Sequence, residues 1–327
     1  MGRPRTVGRN LPKGMYLTKG VYYFVGADKK WVRLGTSIGL AMQEYHKLVV
    51  ATPKEIVTIG ELIDRYMAEI SPEKARTTYI SEIPAAENLR SAMGHISPRD
   101  LTAELIYKYI DYRSKTAPVR VNREISLLSH IYKKAIRWGL ASKNPCKEIE
   151  RNEEKPRTRY VTDEEYEKFK SFVPLRLQLY LELKYLTGLR QYDMLTLMFS
   201  AMKEEGILVK IHKTKVPILI TWTPSLVNII NAFKMLHGNE LDGKTIFVGV
   251  QGKTLTTSGF RSYWQRQMVK ALAQNIITER FQERDIRAKT ASDIGSLSDA
   301  RLLLGHESDK TTAKFYSRLP QKVKPLQ

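Results

Sequence analysis

From residue 55 onward, apolar residues recur three and four apart in stretch after stretch. Strand-like alternation interrupts them once, at "GILVKIHKTKVPILITW" (206–222). The first spacing lines one face of an α-helix and the second one face of a strand, so the chain must be mainly α with small β elements. "TIGELIDRYMAEI" puts Ile59, Leu62, Ile63, Tyr66, Met67 and Ile70 on one helical face behind a Thr58 cap. "DLTAELIYKYIDYRSK" and "APVRVNREISLLSHIYKKAIRWGL" repeat the pattern, the latter stopping at Gly139 ahead of Asn144-Pro145. Ser97-Pro98-Arg99-Asp100, in turn-rich "LRSAMGHISPRDLT", is expected to open the helix that follows it. A four- or five-helix bundle over 55–150 is the expectation.

At 327 residues the chain calls for more than one domain. A charged stretch without apolar periodicity, 151–161, reads as a linker ending at a helix capped by Thr162 or Asp163. Beyond it, helices are expected near 162–172, 175–187, 192–198, 224–236, 257–274, 285–293, 297–304 and 309–316. The β-run supplies a hairpin or a three-stranded ribbon. Before residue 52, "GMYLTKGVYYFVGADKKWVRLGTS" alternates aromatic and β-branched residues around Lys19-Gly20 and Gly26-Ala27-Asp28, a three-stranded meander. "IGLAMQEYHKLVV" then continues with helical spacing. The domains read as 1–52, 55–150 and 162–327.

Charge narrows the partner. Lys and Arg number 54 against 34 Asp and Glu, a net of +20. Such a field attracts polyanions, and phosphates that displace counterions reward binding. Residues 1–52 carry nine Lys and Arg against Asp28 and Glu44. Arg3, Arg5, Lys13, Lys19, Lys29, Lys30 and Arg33 are candidate DNA-binding residues there. Arg120, Arg123 and Lys215 are candidates further along, although a solvated charged face would look the same. No apolar run is long enough to span a membrane, and the N-terminus lacks a secretory pattern. One cysteine, Cys146, excludes an internal disulfide and a cysteine-based zinc site. No metal cluster or phosphate-binding glycine loop stands out, so no cofactor is expected. The expected compartment is bacterial cytoplasm, with the protein on the nucleoid when bound.

Four stretches after residue 162 can each put a cation or proton donor on a phosphate. "TGLRQYDML" holds Arg190, "IHKTKVP" holds Lys213 and Lys215, "RFQERDIRAKTASD" holds Arg284 and Arg287, and "LLLGHESDKTTAKFYSR" holds His306 and Tyr316. Each has a plain reading. Arg190 can pair with Asp193, Lys213 can be a hairpin-tip lysine, Arg284 and Arg287 can be exposed on a basic helix, and Tyr316 can be core.

Taken in order, these stretches resemble the tyrosine recombinase family, of the bacteriophage integrase type. The match is close over 180–318 and loose before 55. The resemblance implies a multidomain chain. It would have an arm-type DNA-binding domain (1–52), a helical core-binding domain (55–150) and an α+β catalytic domain (162–327). It further implies that Arg190 and Arg287 hold the phosphate oxygens of a scissile phosphodiester, with His306 as a hydrogen-bond donor beside them. Lys213, favoured over Lys215, would protonate the leaving 5′-oxygen, and Tyr316 would be the nucleophile. Partners would be double-stranded core and arm attachment sites, a homotetramer on DNA, and possible accessory proteins, a host bending factor and an excisionase.

Two residues depart from the family's pattern. Arg284 stands where a histidine is usual, and a guanidinium hardly deprotonates, so it makes a poor base. The family often carries its tyrosine one residue earlier, where Phe315 stands. That is a shift of about 100° on a plain helix. A relaxing topoisomerase and a non-catalytic DNA-binding protein of the same fold are the alternatives.

Overall fold

The computed structural model describes residues 11–26, 29–50, 58–238, 241–249, 253–316 and 318–319. Arg3, Arg5 and the whole "PQKVKPLQ" tail lie outside them. The chain divides into two compact units, Met1–Glu154 and Lys155–Gln327.

In the first unit, β1 (Met15–Thr18), β2 (Val21–Val25) and β3 (Trp31–Gly35) form the expected antiparallel meander. Lys19 and Gly20 both have positive φ, the geometry a two-residue hairpin turn requires. Alternation sends Met15 and Leu34 inward against Ala41, Met42 and Tyr45 of α1 (Ile38–Val50). On the other face Tyr16 and Tyr23 gather around Trp31, with ring centroids 5.4 and 5.7 Å away.

The bundle that follows has four helices: α2 (Ile59–Glu69), α3 (Arg76–Met93), α4 (Ala103–Ser114) and α5 (Pro118–Arg137). Thr58 caps α2 in a capping box with Glu61, as its position predicts. The helix α3 was not legible as an element. Pro84 lies inside it and its apolar residues form no clean stripe. Its last residues fall in the stretch read as turn. The next helix starts at Ala103 behind a Thr102 cap, later than Ser97-Pro98 suggests. Buried Asp64 of α2 binds Arg90 of α3, and His46 of α1 lies 3.6 Å from the same carboxylate. Cys146 packs into the bundle core.

The second unit begins with α6 (Asp163–Phe172), boxed by Thr162 and Glu165, and α7 (Leu175–Thr187). The short α8 (Gln191–Leu195) ends sooner than expected, giving way to a single 3-10 turn at Phe199–Ala201. β4 (Gly206–Lys210) and β5 (Pro217–Thr221) form the hairpin, and among the described residues their sheet has these two strands alone. Then come α9 (Pro224–His237), α10 (Thr257–Ala273), α11 (Glu283–Asp293), α12 (Leu297–Leu304) and α13 (Asp309–Phe315). The core of this unit runs through Phe169, Tyr180, Phe233, Phe260 and Phe281, all buried. Among the described residues no helix is long and apolar enough to cross a membrane.

Candidate active site

Two left-handed glycines shape the site. Gly188 (φ 58°) ends α7 and turns the chain so that Arg190 becomes the first flanking residue of α8. A β-carbon there would stand 2.6 Å from the Leu304 side chain, which would have to move aside. Gly305 (φ 59°) ends α12 in the same way, and the His306 N–H returns to the Arg301 carbonyl at 3.0 Å. Thus His306 follows a helix end and does not open one.

Arg287, on buried α11, is 2 % exposed and meets both turns. Its guanidinium donates to the Gly188 carbonyl, to the Leu304 carbonyl at 2.7 Å and to His306 Nε2 at 3.0 Å. Among the described residues neither Arg287 nor Arg190 forms a salt bridge. Arg287 Nε and Arg190 Nη1 are buried without a hydrogen-bond partner. Burial, and then the nearby Arg190 charge, lowers the Arg287 pKa to about 10. Asp193 acts on Arg287 only through space, so two adjacent cations that no carboxylate ion-pairs are arranged for an anion from outside.

Tyr316 closes the group. It is the first residue past α13, with φ −125° and ψ −27°, so its side chain departs from the helical progression. The Tyr316 ring packs 4.8 Å from the His306 ring, and the Arg287 guanidinium lies 5.2 Å from the tyrosine centroid. Ser292 of α11 fixes the backbone on both sides. Its hydroxyl lies 3.0 Å from the Tyr316 carbonyl and accepts the Arg318 N–H at 2.9 Å. The Arg318 side chain binds buried Asp285, which also holds Arg157 at 2.9 Å.

Burial first, and then the charges of Arg287, Arg190 and Lys213, lower the His306 pKa to about 4. His306 is therefore neutral near pH 7. The same charges place Lys213, at the exposed tip of the β4–β5 hairpin, within electrostatic reach of His306. Lys215 adopts a left-handed φ of 62° and lines an open cleft of about 590 Å³ with Tyr192, Asp193, Leu208, Lys210 and His212. Asp193 does not pair with Arg190; its carboxylate accepts the His212 N–H at 2.9 Å and so anchors the hairpin base. Arg284 is exposed on the first turn of α11.

The structure thus brings Arg190, Arg287, His306 and Tyr316 together, with Lys213 in electrostatic reach and Arg284 exposed one helical turn before Arg287. Among the candidate DNA contacts, Lys13, Lys19, Lys29, Lys30 and Arg33 are exposed around the small sheet. Arg123 pairs with Glu154 at 2.7 Å, and Arg120 lies 4.0 Å from Glu124. Sequence reasoning missed Thr312, whose fully buried hydroxyl lies 2.9 Å from His306 Nδ1. It also missed Lys184, buried beneath the Gly188 turn, which donates to the Leu189 carbonyl at 2.7 Å and pairs with Glu283. A threonine and a lysine amid many carry no mark of either role.

Residues 159–322 match the phage integrase family. The integrase of Enterobacteria phage 434 is 25% identical over 96% of this chain and 96% of its own length. The tyrosine recombinase XerC of Leptospira interrogans is 24% identical over 71% of this chain and 77% of its own. A lambda integrase dimer bound to a COC' core site superposes with a TM-score of 0.68 at 20% identity, covering 100% of this chain and 99% of that one. A lambda integrase tetramer bound to a Holliday junction gives 0.65 at 22% identity over 92% and 97%. Since the matched stretch is half of the 327 residues and the likeness in fold runs the length of the chain, the chain belongs to the phage integrase family.

Proposed function

We propose that this protein is a site-specific DNA recombinase that cuts and rejoins DNA through Tyr316. The observation that carries the reading is the adjacent Arg190 and Arg287, neither in a salt bridge among the described residues, beside a tyrosine already seated against His306. A phosphodiester resists attack because it is anionic and its alkoxide leaves poorly. Two guanidiniums lower that barrier by holding the non-bridging oxygens as charge grows on them. The Tyr316 oxygen forms a bond to phosphorus as the bond to the 5′-oxygen breaks, and Lys213 delivers a proton to that oxygen. The phenolic proton passes to water, since exposed Arg284 is too weak a base to take it. A 3′-phosphotyrosyl ester and a free 5′-hydroxyl result, and the ester keeps the bond energy for rejoining to a new 5′-hydroxyl.

In this reading residues 1–52 bind arm sites, with Lys19, Lys29, Lys30 and Arg33 beside the Tyr16, Tyr23 and Trp31 face. Residues 55–150 and 162–327, joined by 151–161, hold the core site. Four copies exchange strands through a Holliday junction, the assembly captured for lambda integrase. A bending factor and an excisionase set direction, and the setting is bacterial cytoplasm.

The test begins with duplexes selected from a random pool by binding to the protein. These are then nicked near each candidate cut and run on denaturing gels. A covalent protein–DNA band that is absent with Tyr316→Phe is the expected result. Selected duplexes that are bound but never cut would favour a non-catalytic binding protein. Relaxation of supercoils without site preference would favour a topoisomerase.

A further inference from the structure

The hydrogen bonds of His306 fix where its proton sits. A guanidinium has donors only, so His306 Nε2, 3.0 Å from Arg287, accepts with its lone pair. Because the ring is neutral, its single proton is on Nδ1, donated to Thr312 Oγ1 at 2.9 Å. That tautomer suits the empty site and not the occupied one. A phosphate oxygen also only accepts, so Nε2 needs a hydrogen when the phosphate arrives.

We propose that Thr312 is a positioning residue that lets His306 exchange one neutral tautomer for the other as the phosphate enters. A hydroxyl can both accept and donate. In the resting state it accepts from Nδ1–H. In the engaged state Nδ1 gives up its proton to water, Nε2 takes one from water, and the Thr312 hydroxyl rotates to donate to the bare Nδ1. The proton count is unchanged and the ring never carries charge among Arg190, Arg287 and Lys213. Arg287, released from Nε2, turns that N–H toward the phosphate together with its unpartnered Nε. A carboxylate at 312 accepts only and would draw a second proton onto the ring, whereas a hydroxyl serves both states.

The proposal deepens the recombinase reading and rests on it for the engaged state, but the resting state can be tested alone. Nitrogen-15 spectra of the full-length, DNA-free protein, assigned against His306→Gln, are expected to show His306 with its proton on Nδ1. Adding a selected duplex to Tyr316→Phe protein should move that proton to Nε2. Finding it on Nε2 in the free protein, or still on Nδ1 with DNA bound, overturns the proposal. In single-turnover cleavage, Thr312→Val is expected to be slower by on the order of 10-fold, the worth of one hydrogen bond, and Thr312→Ser to recover most of it. Wild-type rates in Thr312→Val, or no recovery by serine in a folded protein, would also overturn it. If even the wild type fails to cleave, the recombinase reading falls, while the free-protein spectrum still decides the resting tautomer.

Discussion

Arg90 in the helical bundle and Arg287 in the second unit are both largely withdrawn from water, and they are treated in opposite ways. Arg90 clasps the buried Asp64 carboxylate through both terminal nitrogens and also reaches the Gly60 carbonyl. Burial works against its charge, but Asp64 more than offsets this and its pKa is raised. Arg287 is held by backbone carbonyls and a neutral histidine, with a second arginine near it, and its pKa falls. A cation closed by a carboxylate is structure. A cation held only by neutral acceptors keeps charge available for a ligand, and the fold bears the cost.

The comparison can be broken most directly at its ends. Arg90→Gln leaves Asp64 buried beside His46 without its partner. It should cost about 3 kcal/mol, the lower end for breaking a buried pair because Arg90 keeps some exposure, read by urea unfolding. Arg287→Gln should do the reverse. Strand cleavage is expected to fall by about 10²–10³-fold, the effect of removing one preorganised donor, while the urea midpoint stays level or rises. If Arg287→Gln unfolds as readily as Arg90→Gln, the distinction between the two regions is wrong.

Gly188→Ala probes the turn that Arg287 reads. The left-handed φ alone should cost roughly 1–2 kcal/mol, and the clash with Leu304 should shift Arg190 and slow cleavage as well.

Acid sharpens the contrast between the buried histidines. Burial and then Arg90 lower the His46 pKa from 6.5 to about 3, and His306 is lowered to about 4. For each, the unfolded chain binds a proton that the folded one refuses. Their contribution is complete above the unfolded value of 6.5 and shrinks as pH falls toward the folded value. The stability lost on acidification should therefore be smaller in His46→Leu than in wild type across that range, measured by unfolding at stepped pH. Arg284→Gln should show the least change of all, within about threefold in cleavage, as befits an exposed side chain.

Much of this was readable beforehand, for local reasons. Thr58 and Thr162 announce their helices because a cap and its glutamate lie three residues apart. The meander shows itself through alternation and through Lys19-Gly20. Helix α3 hid because Pro84 reads as a breaker, although it is tolerated within the helix. The site was legible as a set of stretches and not as contacts. Asp285 meets Arg157 across 128 positions and Ser292 meets Tyr316 across 24. No periodicity encodes such meetings. Arg284 and Arg287 look alike in "RDIR", and only the packing of α11 buries the second and leaves the first exposed.

Cys146 offers a practical return. It is the sole cysteine of the chain, 2 % exposed, and burial pushes its thiol up to about 12. Alkylating reagents at neutral pH find almost no thiolate there. A cysteine placed at Met235, which is 83 % exposed on α9, would then be the single reactive handle. One fluorophore per protomer could report the arrival of a second copy on DNA without removing any natural residue from the core.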